Sequence, residues 1–353
     1  MPLARFSKLI TSRNQGGGDK KQGFPPSMGL GPFAMNAIKI RAWGYLRDIK
    51  GGVVNTPIKF EIPSGGTGDA QATGFDSSSG KICGYYKDSA GSPHPIVWTS
   101  TGVYDSAITF TFPGGGTGEA QAFGFDSSSG KICGRYLASD GIQRPIVWTS
   151  TGVYDFAVTF TDPLGSTVNG AATGFDSSSG KICGFYRDSD GIQRPIVWTS
   201  TGVYDTNVTF TFPEDGNGKG VANGFGPGGK ICGYYRDSGG VRPIVWASTG
   251  GDTNVTFTFP EDGTGEGVAN GFDSSSGKIC GVYIVSGNIP CPIVWTSAGV
   301  YDSAVTFTFP GGGTGVGGAT GFGPGGKICG VYIDSGGIQR PIVWTSNGTP
   351  HLT

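Results

Sequence analysis

The chain has 353 residues, 67 of them Gly and 22 Pro, with 14% charged residues and a formal net charge of −1 at pH 7. Disordered chains lack aromatic and β-branched residues; here 22 Phe, 13 Tyr and 7 Trp recur in register, so the Gly and Pro read as turn punctuation in an all-β fold. No apolar run approaches the roughly 18 residues of a membrane helix, and a total of two His removes most Ser-His-Asp, Cys-His and His-ligated metal chemistry.

Residues 1–50 hold nine Lys and Arg against two Asp and Glu, while residues 51–353 hold sixteen against twenty-four. The chain therefore divides into a basic, Gly-rich N-terminal arm (1–50) and a mildly acidic body (51–353). Arg5, Lys8, Arg13, Lys20 and Lys21 are candidate attachment residues, because flexible Gly with Lys and Arg suits docking on an anionic or proteinaceous surface of a larger assembly. Ile38–Leu46 ("IKIRAWGYL") can add a strand there. Nine basic residues in fifty is a modest density, and nucleic acid is not an expected partner. The opening "MPLARFSKLITSRNQGGG" lacks the apolar stretch of about 7–15 residues that marks a signal peptide. The expected location is a reducing cytosol, unless the protein leaves as part of a virion or surface assembly.

From Ile58 onward four kinds of short segment alternate. A β-branched and Phe segment ending in Pro comes first ("IKFEIP", Ile58–Pro63). Small residues then lead into Gly-Phe (Ala72–Phe75), followed by Lys-Ile-Cys-Gly and Pro-Ile-Val-Trp. The set recurs every 48–50 residues, with cysteines at 83, 133, 183, 232, 280 and 329 and tryptophans at 98, 148, 198, 246, 295 and 344. Short runs rich in Val, Ile, Thr, Phe, Tyr and Trp, bounded by Gly, Pro, Asp or Ser, carry the strand signature. Several are apolar on both faces, which predicts strands covered on both sides, and none shows a sustained helical period.

Four strands per repeat predicts a six-bladed β-propeller of four-stranded blades (repeats of about 49 residues). The fourth strand type is out of phase. Its first copy precedes the first Gly-Phe, and nothing like it follows Trp344. Ile58–Ile62 is therefore expected to complete the last blade as its outer strand, closing the ring and removing two free ends.

"GFGPGGKICGYYRDSGGVRPIVW" (Gly224–Trp246) resembles the HAF repeat, whose pattern is roughly G-I-N-x-x-G-x-V-V-G-Y-x-x-x-x-x-G-x-x-H-A-F-L-W. Gly224, Gly229, Gly233 and Trp246 fall at matching positions, and the likeness covers residues 70–346. This sequence has Arg-Pro-Ile or a variant where that family has His-Ala-Phe, and copies with "DSSSG" carry a first turn one residue longer. The resemblance implies a β repeat of exported or surface proteins and no catalytic residues. "TSRNQGGGDKKQGFPPSMG" (Thr11–Gly29) resembles an opening seen on proteins of large DNA viruses of marine algae, which implies a virion as the assembly.

The candidates for chemistry recur with the repeat. Tyr104–Asp105, Tyr154–Asp155, Tyr204–Asp205 and Tyr301–Asp302 set a stacking ring beside an acceptor for hydroxyls; equally, the Tyr packs over a neighbouring loop. The fourth repeat lacks the pair. Arg144, Arg194, Arg242 and Arg340 occupy one slot just before Pro, where His94 stands in the first repeat and Cys291 in the fifth. They make either a basic rim for anions or hairpin ion pairs with Asp188, Asp237 or Asp334, the latter preferred. The repeated cysteines read as buried free thiols, since equivalent positions on adjacent blades exceed the ~7 Å Cα limit of a disulfide and the closely spaced pairs of a zinc site are absent. "DSDG" (Asp188–Gly191) reads as a turn rather than a calcium loop. No metal or cofactor is expected.

Three functions are left open. The first is a non-catalytic structural or interaction propeller held to a larger assembly by its arm. The second is a lectin-like adhesin with repeated weak carbohydrate sites. The third and most distant is a glycan-active enzyme, for which no distinctive carboxylate pair speaks.

Overall fold

The computed structural model describes residues 57–114, 116–311 and 313–352. The arm, with Arg5, Lys8, Arg13, Lys20, Lys21 and Ile38–Leu46, lies outside the described residues.

Each repeat folds into one antiparallel three-stranded sheet, in chain order across the sheet. The first contains β1 (Gly66–Phe75), β2 (Ile82–Asp88) and β3 (Pro93–Trp98); the second, β4 (Gly116–Phe125), β5 (Ile132–Ala138) and β6 (Gln143–Trp148). The third contains β7 (Gly170–Phe175), β8 (Ile182–Arg187) and β9 (Gln193–Trp198), and the fourth β10 (Gly220–Phe225), β11 (Ile231–Asp237) and β12 (Gly240–Trp246). The fifth has β13 (Gly263–Phe272), β14 (Ile279–Val285) and β15 (Ile289–Trp295); the sixth, β16 (Gly313–Phe322), β17 (Ile328–Asp334) and β18 (Gln339–Trp344).

The repeated residues explain both the sheets and their stacking. In the first sheet Ile82 pairs with Trp98 and Cys83 with Val97 across β2 and β3. Both faces of this ladder are buried. Cys83 and Val97 pack against Ala122, Ile132, Ile146 and Trp148 of the second repeat. Ile82, Ile96 and Trp98 pack against Cys329 and Val343 of the sixth. A sheet covered on both faces must be apolar on both, which is why "KIC" and "PIVW" do not alternate.

The first strand of each sheet meets its counterparts in the neighbouring sheets. A Cβ on Gly74 would lie 3.1 Å from Gly124 Cα, and one on Gly321 would lie 3.6 Å from Gly74 Cα. The Gly of Gly-Phe is thus fixed by backbone crowding where the inner strands converge. The residue before it ties sheet to sheet: Thr73 Oγ1 donates to Ala122 O (2.8 Å), Thr173 Oγ1 to Ala222 O (2.6 Å) and Asn270 Nδ2 to Ala319 O (2.8 Å). Thr320 Oγ1 donates to Ala72 O at 2.7 Å, so the sixth sheet meets the first through the bond that joins the others. The body is an all-β propeller of six sheets.

The expected fourth strand is not there. The "TFTFP" segments form no strand; their N–H groups go to the turn of the following sheet, as in Thr109 N to Thr151 O and Thr111 N to Gly152 O. Each segment instead lies over the next sheet's Trp. Phe110 meets Trp148 edge-on at 5.0 Å, and Trp148 Nε1 donates to Thr111 O at 2.9 Å. Beyond the third strand there is a single bridge, Trp98 to Tyr104, with Asp105 N donating to Val97 O. Ile58–Ile62 behaves as its siblings do: Phe60 meets Trp98 of the first sheet edge-on and Glu61 O accepts from Trp98 Nε1 (2.7 Å). It is not an outer strand of the sixth sheet. Its N-terminal end still reaches the last repeat, through the Pro57–Leu352 bridge and Ile58 N to His351 O (3.1 Å).

Candidate ligand cleft at the sheet rim

The Tyr-Asp pairs take part in the packing of the fold. Tyr104, Tyr154, Tyr204 and Tyr301 are half-buried and pack on the core cluster of a sheet. The carboxylates are taken: Asp105, Asp155, Asp205 and Asp302 accept from Lys81, Lys131, Lys181 and Lys278, each at 2.8 Å. Their other oxygens cap turns, as in Ala107 N to Asp105 Oδ1 (3.2 Å). For Asp302 the bond from Lys278 is the main cause that holds its carboxyl below the ordinary value.

The Arg slot lies where one sheet faces the next. Arg194, Arg242 and Arg340 pair through Nε with Asp188, Asp237 and Asp334 at 2.8–2.9 Å, and Arg144 pairs with Asp140. Three of them also reach across. Arg242 Nη1 donates to Gly265 O (2.8 Å), Arg340 Nη1 to Gly68 O (3.0 Å), and the Arg194 guanidinium lies against Gly218. Cys291 Sγ faces Gly315 O at 3.8 Å. In the third, fourth and sixth repeats the side chain before Pro therefore bridges the outer strand of one sheet and the start of the next.

His94 breaks this series. Its Nε2 is bonded to Asp88 Oδ2 at 2.9 Å, replacing the Arg–Asp pair. A cleft of about 180 Å³ lies beside it, lined by Tyr86, His94 and Tyr104 of the first repeat, by Ile108, Phe110 and Phe112 of the link, and by Gly118 of the second sheet. Tyr86 and His94 rings lie 5.5 Å apart and tilted by 33°. Burial, then the neighbouring Tyr104 and Asp88, push the Tyr86 phenol above its usual range, so it stays protonated at neutral pH. The cleft thus offers aromatic surface, the protonated Tyr86 hydroxyl and an imidazole fixed by its carboxylate.

Among the described residues no group of three or more His, Cys, Asp or Glu is placed to hold a metal ion. No helix among them is long and apolar enough to cross a membrane.

No protein-family model matches the chain. No curated protein matches it either. Solved structures do. A triple arginine-to-alanine mutant of AofleA from Arthrobotrys oligospora is similar over 81% of this chain and 86% of its own, at 12% identity and a TM-score of 0.52. Aleuria aurantia lectin, described as a fungal lectin of six-bladed β-propeller fold, covers 82% and 96% at 12% identity and a TM-score of 0.47. The BP39L lectin of Burkholderia pseudomallei covers 83% and 87% at 11% identity and a TM-score of 0.46. At such identities the likeness is one of fold.

Proposed function

We propose that the protein is a non-catalytic carbohydrate-binding propeller, whose ligand is a neutral sugar seated in the cleft between the first and second sheets. The observation that carries this reading is the cleft beside His94, which sets Tyr86, Tyr104 and Phe110 around one opening between the first and second sheets. Sugar recognition needs an apolar face for the ring and a few fixed polar groups for its hydroxyls. No Asp or Glu is among the residues that line the cleft, so the carboxylate pair of glycoside hydrolysis has no counterpart there, and the reading is one of binding.

The test is a glycan panel that includes methyl α-L-fucoside, the ligand in one Aleuria aurantia lectin complex. The wild type should bind at least one neutral glycan. Tyr104→Ala should weaken it by about tenfold or more, the loss of one stacking contact plus one hydrogen bond. A panel with no wild-type binding, equal binding by the variant, or release of a cleaved product would overturn the reading. The charge asymmetry of the arm supports a separate role for it, attachment of the body to a larger assembly. Deleting residues 1–34 should then release the body from that assembly and leave glycan binding unchanged.

A further inference from the structure

Two departures from the repeat meet at one place, away from the rim cleft. Before Gly-Phe the inner strands carry Thr73, Thr173, Asn223, Asn270 and Thr320, but the second sheet carries Phe123. After Cys-Gly the middle strands carry Tyr85, Phe185, Tyr234, Val282 and Val331, but the second sheet carries Arg135. The Arg135 guanidinium lies over the Phe123 ring, 5.8 Å from its centroid. Its Nε donates to Gln121 Oε1 and its Nη1 to Gln143 Oε1, both at 2.8 Å.

These partners are neutral. The rim arginines Arg144, Arg194, Arg242 and Arg340 each face an Asp, whereas Arg135 is half-buried with no ion pair among the described residues. Burial disfavours its charge, and the nearby positive charge of Arg187 adds to that, while the hydroxyl-bearing Tyr85 favours it. Arg187 is exposed and bonds a carbonyl, Gly191 O, at 3.1 Å. A guanidinium carries five N–H donors in a fixed fork, so two bonds to amides leave donors to spare. An uncompensated, half-buried charge is costly unless something of opposite sign answers it.

We propose that Arg135 is the anchor of a second binding site, which takes a small oxyanion (a carboxylate or sulfate group). Phe123 and the two Gln amides hold the guanidinium plane, and the exposed Arg187 of the third sheet contributes a further positive charge nearby. The site is independent of the rim cleft, so its failure leaves the sugar reading untouched.

The experiment titrates the full chain with sodium acetate and with sodium sulfate, each at constant ionic strength against chloride. The readout is the NMR shift of the Tyr85, Phe123 and Arg135 backbone amides. The expected result is a saturable shift with at least one of the two, acetate marking a carboxylate ligand and sulfate a sulfated one. It should vanish in Arg135→Met and weaken at least threefold in Arg187→Gln. Should Arg135→Met fail to fold, Arg135→Lys keeps the charge without the fork and should bind at least threefold more weakly. No saturable shift with either anion, or unchanged binding in the Arg135 variant that folds, overturns the proposal.

Discussion

At the scale of single residues the repeat uses each side chain for one physical purpose. The cysteines fill the space between sheets as small apolar groups. All seven are free thiols; six are buried and Cys291 is half-buried. Burial pushes Cys183 up to about 12, and burial with the nearby Asp262 pushes Cys291 up to about 11. Thiolate, not thiol, is the reactive form. A thiol reagent at pH 7.5 should therefore find at most Cys291 in the native protein within minutes, and all seven after denaturation without reductant. Several fast-reacting native thiols, or fewer than seven after denaturation, would contradict this packing. The cysteine positions were legible in the sequence because they recur; the chemistry of the Tyr-Asp pairs was not. Asp105 and Lys81 are 24 positions apart and meet only when the sheet forms, so the ion pair that engages the carboxylate could not be read from the repeat. His94 and Cys291 stood out as exceptions in the Arg series, but the cleft beside His94 includes Gly118 of another sheet.

At the scale of elements, the turn after the inner strand comes in two forms that serve as internal controls. In "DSSSG" the carboxylate of Asp126 accepts from Ser128 N (3.1 Å), Ser128 Oγ (2.8 Å) and Ser129 Oγ (2.5 Å). Burial works against its ionisation, yet these donors outweigh it and hold Asp126 below the ordinary carboxylate value. The repeats with "GPGG" close the same hairpin with one residue fewer and no carboxylate: Phe225 still pairs with Ile231 as Phe125 does with Ile132. Because Asp126 titrates lower folded than unfolded, its stabilisation is present above the unfolded value of 3.8 and is lost as pH falls below it. Asp126→Ala should cost about 1–3 kcal/mol at pH 7 by stranding Ser and backbone donors. Replacing residues 126–130 with Gly-Pro-Gly-Gly should fold, cost less than the Ala variant, and flatten the loss of stability between pH 5 and about 3. Urea denaturation at both pH values checks it, and a turn swap as damaging as the Ala variant would refute it. The linking segments are where composition misleads. "VTFTFP" has the β-branched and aromatic content of a strand, but its alternate N–H groups face a turn rather than a ladder, and its Phe rings face Trp. Periodicity cannot distinguish the two, because side chains alternate in both.

At the scale of the whole molecule, the junction of the last and first sheets is the place where the chain's continuity is replaced by contacts. His351 N donates to Val343 O (2.8 Å), as Asp105 N does to Val97 O (2.9 Å), and Ile58 N accepts the continuation by donating to His351 O. His351 stands where four other repeats have an Asp paired with Lys. Burial and then Lys327 lower its pKa below 6.5. A His titrating lower in the folded chain stabilises above its unfolded value and loses that stability as pH falls through it. The protein should thus lose stability from about pH 6.5 downward, before the carboxylates titrate, and His351→Asp should abolish that step by giving Lys327 a counter-ion. Thermal melts at pH 7.5 and 5.5 read the difference; an unchanged step in the variant would refute the assignment. Removing residues 1–63 should also destabilise far more than removing residues 1–34, since it takes the Phe60 ring and the acceptor of Trp98 Nε1. The central claim is that the rim cleft beside His94, between the first and second sheets, is where a sugar binds. Its most direct test is isothermal titration of the full chain, and of His94→Arg, with a glycan that the wild type binds. A stoichiometry near one per chain, with binding lost in His94→Arg while its melting temperature holds, is the predicted result; several equivalent sites per chain, or undiminished affinity in His94→Arg, would contradict it.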